Sequence, residues 1–331
     1  MQLFESAFPI QPLFETRSEW PGMAKEDEWK HLCAALETYT PPPISAAPIA
    51  PDEKWNAVST YQKSVRRGQF LVAMKIVSGM VPTEDCGYLW KRVCTTAAED
   101  IGPANDALMN FVIQCSKTYT PKRAPDYQFH ILAFLTQAMC ESAKSRMYCS
   151  LSIIENNMKT KPSNLTKEEE GFLKQIRKIN KQEHWAVQNN WRGEGMLKFQ
   201  LFDGMQLVAN GWEPPAPTMI CGFPDYAFDM HTRIGKTVCS KLVGRSEVKE
   251  FFGKHPTNDK TQAVGYALFF AEGGRILHAL RDSRIALLEQ KFVSSKFGYS
   301  DEKVWMQLID IISKLVDSRV VNMLRQSTLI R

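Results

Sequence analysis

The chain has 331 residues, of which 44% are hydrophobic and 23% charged, and this composition excludes disorder over most of its length. The length suffices for two domains, each with its own core. The formal net charge of +5 permits a nucleic-acid surface but does not require one.

The eight cysteines include no C-x-x-C pair and no histidine at zinc-finger spacing. We therefore expect reduced, mostly buried thiols in a cytoplasmic setting, with no metal site and no cofactor. The N-terminus lacks a basic region followed by an apolar core, and no run of about eighteen apolar residues occurs. Neither a secretory signal nor a membrane partner is expected.

Residues 1–52 are predicted to form an N-terminal arm. Within it, residues 29–36 read as a short helix, and residues 40–51 (TPPPISAAPIAP) as an extended linker of polyproline type. The aromatic residues of the arm predict that it packs on its own chain or on a partner subunit.

Residues 53–158 are predicted to form a helical domain, because apolar residues recur at helical spacing. Two motifs stand out within it: residues 61–68 read YQKSVRRG, and residues 96–102 read TAAEDIG. A third segment, residues 132–148, ends with Lys144, Ser145 and Tyr148.

These motifs, in this order, resemble the C-terminal collar domain of the MgsA/RarA replication-associated AAA+ ATPases over about residues 55–157. The resemblance implies a module that forms homotetramers beneath an ATPase ring at stalled replication forks. It therefore implies self-association and DNA as a partner. It does not imply ATP hydrolysis, because Met230 stands where the P-loop ending in Gly235, Lys236 and Thr237 needs its first glycine.

Cations and carboxylates occur together in the first two motifs. One interpretation is a structural ion network that includes Lys63, Glu99 and Asp100 and fixes how the helices cross. The alternative makes Arg66, Arg67 and Lys144 contacts for phosphate or for a neighbouring subunit.

Residues 159–183 are predicted to form a charged, solvated connecting helix with pairs such as Glu170–Lys174. A basic strip for phosphate is the alternative. In the following aromatic-rich stretch, Trp185, Trp191 and Trp212 are interpreted either as core residues or as a platform for single-stranded bases.

The C-terminal domain, residues 184–331, is predicted to be mostly helical, with helices at 231–243, 262–270, 274–286 and 302–324. The overall class is therefore all-α, a helical collar-like domain followed by a second helical domain. Charged residues near 272–284 predict either a solvated face or a surface for DNA or a subunit.

The best candidate site lies in residues 223–236, a loop-to-helix junction. We predict that Asp229 is the N-cap of the helix and that Asp229 and His231 are candidate catalytic residues. Arg233 and Lys236 would bind nucleic acid or phosphate. In the alternative, Asp229 only caps the helix, Arg233 pairs with a nearby aspartate, and His231 faces water.

Two functions follow as hypotheses. The first is an all-helical, oligomerising DNA-metabolism protein, a replication or repair accessory of a phage, virus or mobile element, working in the host cytoplasm. The second is a DNA- or nucleotide-modifying transferase, such as a phage base-modification enzyme, with its site around Asp229 and Lys236.

Overall fold

A computed structural model describes residues 25–118, 124–175, 207–209, 216–273 and 279–329. Most of these residues are helical, which confirms the all-α class. They fall into two compact units, the first ending at Ser145 and the second beginning at Arg146. The helix at 147–156, which the sequence groups with the first domain, therefore belongs to the second unit. No helix in the described ranges is long and apolar enough to cross a membrane.

The first unit consists of helices around a central one. Its elements are α1 (Lys25–Thr38), α2 (Lys54–Arg66), α3 (Phe70–Met80), α4 (Cys86–Thr96), a π-helical turn (Ala97–Ile101), α5 (Asp106–Thr118), α6 (Pro125–Glu141) and strand β1 (Lys144–Ser145). Helix α2 packs against α3, α4 and α6. Because it has neighbours on several sides, every residue from 60 to 66 is buried, including five with polar side chains.

The arm packs on its own unit where it is described, from residue 25 onward. Trp29 of α1 makes an edge-to-face contact with Phe111 of α5, with ring centroids 5.0 Å apart. Residues 39–50 form neither helix nor strand, and they are held on α3. The amide of Ala46 donates to Ser78 Oγ at 3.1 Å, and the amide of Ile49 donates to the carbonyl of Gly79 at 2.9 Å. Residues 1–24 lie outside the described ranges.

The second unit is a helical layer with short strands. Its elements are α7 (Met147–Asn156), α8 (167–175), β2 (Leu207–Ala209), β3 (Met219–Ile220), β4 (Phe223–Pro224), α9 (Arg233–Val243), α10 (Ser246–Lys254), α11 (Lys260–Gly273), β5 (Ala279–Asp282), α12 (Ser283–Lys296), α13 (Glu302–Asp317) and α14 (Val320–Leu329). Strand β2 pairs antiparallel with β5, and β3 pairs with β4. Apolar residues of α9, α10, α11 and α13 form the core, with Trp305 at 0% exposure.

The helix predicted at 274–286 is wrong over residues 279–282 and correct over 283–286. Residues 279–282 form β5, and α12 begins only at Ser283. The carboxylate of Asp282 accepts hydrogen bonds from the amides of Arg284 and Ile285, at 2.9 and 3.3 Å, and so acts as the N-cap. Residues 274–278 lie outside the described ranges.

The predicted helix at 302–324 is two helices. Arg319 has φ +60° and ends α13, and α14 starts at the next residue. A left-handed residue at this position is a common helix terminator, usually Gly or Asn rather than Arg. The break therefore carries no glycine or proline that would reveal it in the sequence.

The charged segment 159–183 is not a solvated connector over its described part. Helix α8 buries Phe172 and Leu173. Thr166 and Glu169 form a reciprocal capping box, with backbone-to-side-chain distances of 2.7 and 3.1 Å. Lys291 of α12 lies 2.7 Å from Glu169, so the helix is fastened to the unit.

Candidate functional site

The two motifs of the first unit meet in a buried ion pair. Arg66 Nε of α2 lies 2.6 Å from Asp100 Oδ1 in the π-helical turn, and Arg66 Nη2 lies 3.3 Å from Oδ2. Arg66 is 5% exposed and Asp100 is fully buried. The pair joins two segments 34 residues apart and holds α2 against the end of α4.

Gln62 extends this pair into a network. Its Nε2 donates to Glu99 Oε2 at 2.8 Å and to Asp100 Oδ2 at 3.1 Å, and its Oε1 accepts from Arg92 Nη1 at 2.9 Å. The side-chain amide of Gln62 thus accepts a hydrogen bond from one charged group and donates hydrogen bonds to two others. The sequence motifs indicated Glu99 and Asp100 but not Gln62, which lies four residues before Arg66 and therefore on the same face of the helix.

The π-helical turn ends at a residue that must be glycine. The amide of Gly102 donates to the carbonyl of Ala97, five residues earlier, and Gly102 has φ +47° and ψ −133°. This backbone region is essentially restricted to glycine. The sequence run TAAEDIG is therefore explained by local geometry, since the turn delivers both carboxylates to Gln62 and Gly102 then redirects the chain.

Two of the cations predicted to contact phosphate in this unit, Lys144 and Arg66, bond instead to groups of the protein. Lys144 Nζ donates to the carbonyls of Met139, Cys140 and Ser142 at 2.8, 3.0 and 2.5 Å, and so uses all three of its protons at the end of α6. Arg66 is buried against Asp100. These contacts correct the phosphate role predicted for Arg66 and Lys144, because neither side chain is accessible.

Lys63 and Arg67 take different positions. Lys63 is 8% exposed, on the buried half of α2. Arg67 is half-buried, and its Nη1 donates to the carbonyl of Lys63 at 3.3 Å, at the C-terminus of α2. A cation there interacts favourably with the helix dipole. A phosphate contact by Arg67 stays a prediction.

In the second unit, the junction at 225–236 is a tight turn. Asp229 Oδ1 accepts from the amide of His231 at 2.9 Å, and the Asp229 carbonyl accepts from the amide and hydroxyl of Thr232. Helix α9 begins at Arg233, and Thr232 is its N-cap, with its Oγ1 accepting from the amide of Gly235 at 3.0 Å. The prediction that Asp229 is the N-cap is therefore wrong by three residues.

The turn depends on the absence of a side chain at residue 235. A Cβ there would lie 1.6 Å from the carbonyl oxygen of Asp229. Only glycine lets the backbone at residue 235 come this close to the carbonyl of Asp229. Gly235, the glycine of the partial P-loop pattern, is therefore explained by the packing of the turn.

The candidate catalytic and phosphate-binding side chains do not converge. His231, Arg233 and Lys236 are exposed, and the Asp229 carboxylate is engaged in its own turn. The imidazole of His231 forms no hydrogen bond or ion pair with a described residue. The arrangement thus provides exposed cations on a helix rather than an acid–base pair.

A buried network lies beneath this junction and was missed by sequence analysis. Arg325 of α14 forms a bidentate ion pair with Glu272 of α11, at 2.8 and 2.9 Å, and its Nε donates to the carbonyl of Phe228 at 3.1 Å. Asn322 donates to the carboxylate of Asp225. The available signal was Arg325 itself, since it follows buried Val321 by four residues and so occupies the apolar face of its helix.

Burial and charge set the protonation of this network. Burial raises the pKa of Asp225, although the charge of Arg325 and the amide of Thr218 act in the opposite direction. Burial also works against the charged form of Arg325, but the carboxylate of Glu272 outweighs it, so the pKa of Arg325 is raised and the guanidinium stays charged. The network ties α11, α14 and the junction together.

The described residues contain no group of three or more His, Cys, Asp or Glu side chains that would hold a metal ion.

The eight cysteines are free thiols. Burial raises the pKa of Cys94 to about 11 and that of Cys239 to about 12. Cys221 is exposed, unlike the buried thiols expected. Trp185, Trp191 and Trp212 lie outside the described ranges.

No protein-family model, no curated protein and no solved structure matches this chain. The resemblance to the MgsA/RarA collar therefore rests on its motifs alone.

Proposed function

We propose that this chain is a helical, self-associating protein of DNA metabolism, acting as a replication or repair accessory that a phage or virus encodes. The supporting observation is that the two motifs that resemble the collar domain meet in one buried cluster. Arg66, Gln62 and Asp100 interlock at distances of 2.6–3.3 Å. These residues therefore specify a helical framework, as an assembly module requires.

The geometry also favours a stiff framework. Burying a charge is costly unless it is paired and hydrogen-bonded, so the cluster is stable in only a narrow range of helix positions. The all-round burial of residues 60–66 adds to this restraint. A stiff scaffold presents its outer helix faces in a fixed geometry, which favours repeated contacts between identical subunits.

The transferase alternative has weaker support. A general acid or base needs a partner within hydrogen-bonding reach of the reacting group. His231, Arg233 and Lys236 are exposed around the start of α9, and the carboxylate of Asp229 accepts a hydrogen bond from the backbone amide of His231 within its own turn.

The first test is the mass of the full chain in solution. Size-exclusion chromatography with light scattering at micromolar concentrations should give a multiple of the 37.7 kDa subunit mass, four subunits by the collar resemblance. A monomer at every concentration would contradict self-association. His231→Ala serves as the matched variant, since an exposed side chain outside the cluster should leave the mass unchanged.

The second test addresses DNA. Mass photometry of the oligomer with and without a short duplex at low salt should show a heavier particle when DNA is present. An oligomer that binds neither duplex nor single-stranded DNA would contradict the DNA-metabolism part of the proposal while leaving assembly intact.

A further inference from the structure

The positive charge of the chain is concentrated in one short segment. Residues 231–260 contain seven Lys or Arg and three Asp or Glu, a net charge of +4. The whole chain carries +5, so the remaining 301 residues together contribute +1. This segment comprises α9, α10 and the start of α11, and all of it is described.

Helix α9 presents its cations on one side. Arg233 and Lys236 are exposed, while Val238, Cys239 and Leu242 on the other side are buried in the core. The cations lie three residues apart, and positions with this spacing share one face of an α-helix. The helix is therefore fixed by its apolar face and turns its charged face to solvent.

Helix α10 continues the charge. Only Gly244 and Arg245 separate it from α9, and Arg245, Lys249 and Lys254 are exposed. With a rise of about 1.5 Å per residue, the two helices are about 16 and 14 Å long. The cations thus lie within a span of about 30 Å, which corresponds to about nine base pairs of B-form DNA at 3.4 Å each.

Most of these charges are not neutralised. Arg233, Lys236 and Lys249 form no ion pair with a described residue. Arg245 lies 3.8 Å from Glu247, and Lys254 lies 2.7 Å from Glu250, but both pairs are exposed, so they contribute little and are readily exchanged. The exposed side chains of Arg233, Lys236, Arg245, Lys249 and Lys254 are called the α9–α10 basic surface below.

The same segment lacks the apolar groups that other polyanions would require. The exposed large hydrophobic residues of the described chain, such as Trp55, Leu287 and Met306, lie outside 231–260. Phe251 and Phe252 are buried. Since single-stranded bases bind by stacking on exposed aromatics, and membrane surfaces by insertion of apolar side chains, the surface suits neither of them.

We infer that the α9–α10 basic surface binds the phosphate backbone of duplex DNA without reading its sequence. This inference rests on the proposed function for the choice of DNA, and it names the part of the chain that holds it. Cations in this arrangement neutralise phosphates and release counterions, so affinity falls as salt rises. Phosphate contacts made by such cations carry no sequence information directly, so two duplexes of unrelated sequence should bind equally well.

The experiment uses the full chain and fluorescence anisotropy with two duplexes of unrelated sequence, at several salt concentrations. One variant combines R233Q, K236Q and K249Q. The control variant combines K75Q, K91Q and K303Q, which removes the same charge from three other exposed lysines. Circular dichroism melting of both variants verifies that they fold.

Wild-type and control proteins should bind both duplexes equally, and the R233Q/K236Q/K249Q variant should bind them about tenfold or more weakly. Its plot of log affinity against log salt should be shallower by about three units, one for each lost phosphate contact. Unchanged affinity in that variant, with DNA still bound, overturns the surface assignment but not the proposed function. Tighter binding to oligothymidine or to phosphatidylserine vesicles than to duplex overturns the choice of ligand.

Discussion

Arg325 and Glu272 form a bidentate ion pair in the interior of the second unit, with the guanidinium of α14 meeting the carboxylate at the end of α11. Arg325 is 1% exposed. The two helices are thus joined by two charges that are stable only in each other's presence.

We expect Arg325→Met to lower the free energy of unfolding by about 3–5 kcal/mol, because it leaves the carboxylate of Glu272 without its partner. The double variant R325M/E272M should be more stable than R325M alone, since it removes the uncompensated charge as well. Urea denaturation of the wild type, R325M, E272M and the double variant measures both effects. A double variant whose loss equals the sum of the two single losses would show that the pair is not coupled.

In the first unit, Asp100→Asn should destabilise far more than Glu99→Gln. The first substitution leaves the buried guanidinium of Arg66 without a counter-charge, at a cost of about 3–5 kcal/mol. Glu99 is only half-buried, and a glutamine there still accepts from Gln62, so the cost should be about 1 kcal/mol or less. Thermal and urea unfolding of both variants would provide the comparison, and similar losses in the two would contradict the assigned geometry.

Gly235→Ala should destabilise by about 1–3 kcal/mol, because the added methyl carbon overlaps the carbonyl of Asp229 and forces the turn to move. Gly253→Ala in α10 provides a matched control, for which stability should increase rather than decrease. Its Cβ would meet no atom within 4 Å, and alanine favours the helix by about 0.5–1 kcal/mol. Melting temperatures that shift in the same direction would contradict this account.

The ion pair between Glu169 and Lys291 should make the stability depend on pH in the acid range. Partial burial opposes the charged carboxylate of Glu169, but hydrogen bonds from Lys291 and from the amide of Thr166 outweigh it, so its pKa is lowered. A lowered pKa in the folded protein means that the stabilisation is complete above the pKa of the unfolded chain, about 4.3, and is lost as pH falls through the folded value.

Urea denaturation of the wild type and of Glu169→Gln should therefore differ by about 1–2 kcal/mol at neutral pH, and the difference should shrink on acidification below about pH 4. Lys291→Met removes the same pair from the other side and should weaken the pH dependence, although the amide of Thr166 still favours the charged carboxylate of Glu169. A difference that grows on acidification would contradict the direction of the pKa shift.

Much of the first unit was predictable because its helices obey local rules. Apolar spacing located α3 and α4, and the pairing of bases with acids in the two motifs pointed to an ion network. The π-helical turn and the part played by Gln62 were not predictable, since both depend on which helices become neighbours in space.

The second unit was harder to predict for reasons that individual residues illustrate. Arg319 ends α13 with a backbone conformation that is rare for arginine, so no sequence signal marks the break. The sequence places Glu272 in a charged, surface-type segment. Its partner, Arg325, lies 53 residues further along the chain and is found only in the folded structure. At the junction, the density of polar residues suggested a catalytic site. The sequence does not reveal that one of the candidate site side chains bonds to the backbone and that the others face water.

Helix α14 packs on α9 and α13 and contributes both Asn322 and Arg325 to the buried network. During synthesis, the partners at Asp225, Phe228 and Glu272 emerge from the ribosome first and must wait for this helix. Until it arrives, Asp225 lacks its contact with Asn322 and Glu272 lacks its ion pair with Arg325, so the second unit cannot complete its interior before α14 has emerged. Its folding thus depends on the synthesis of residues through 325.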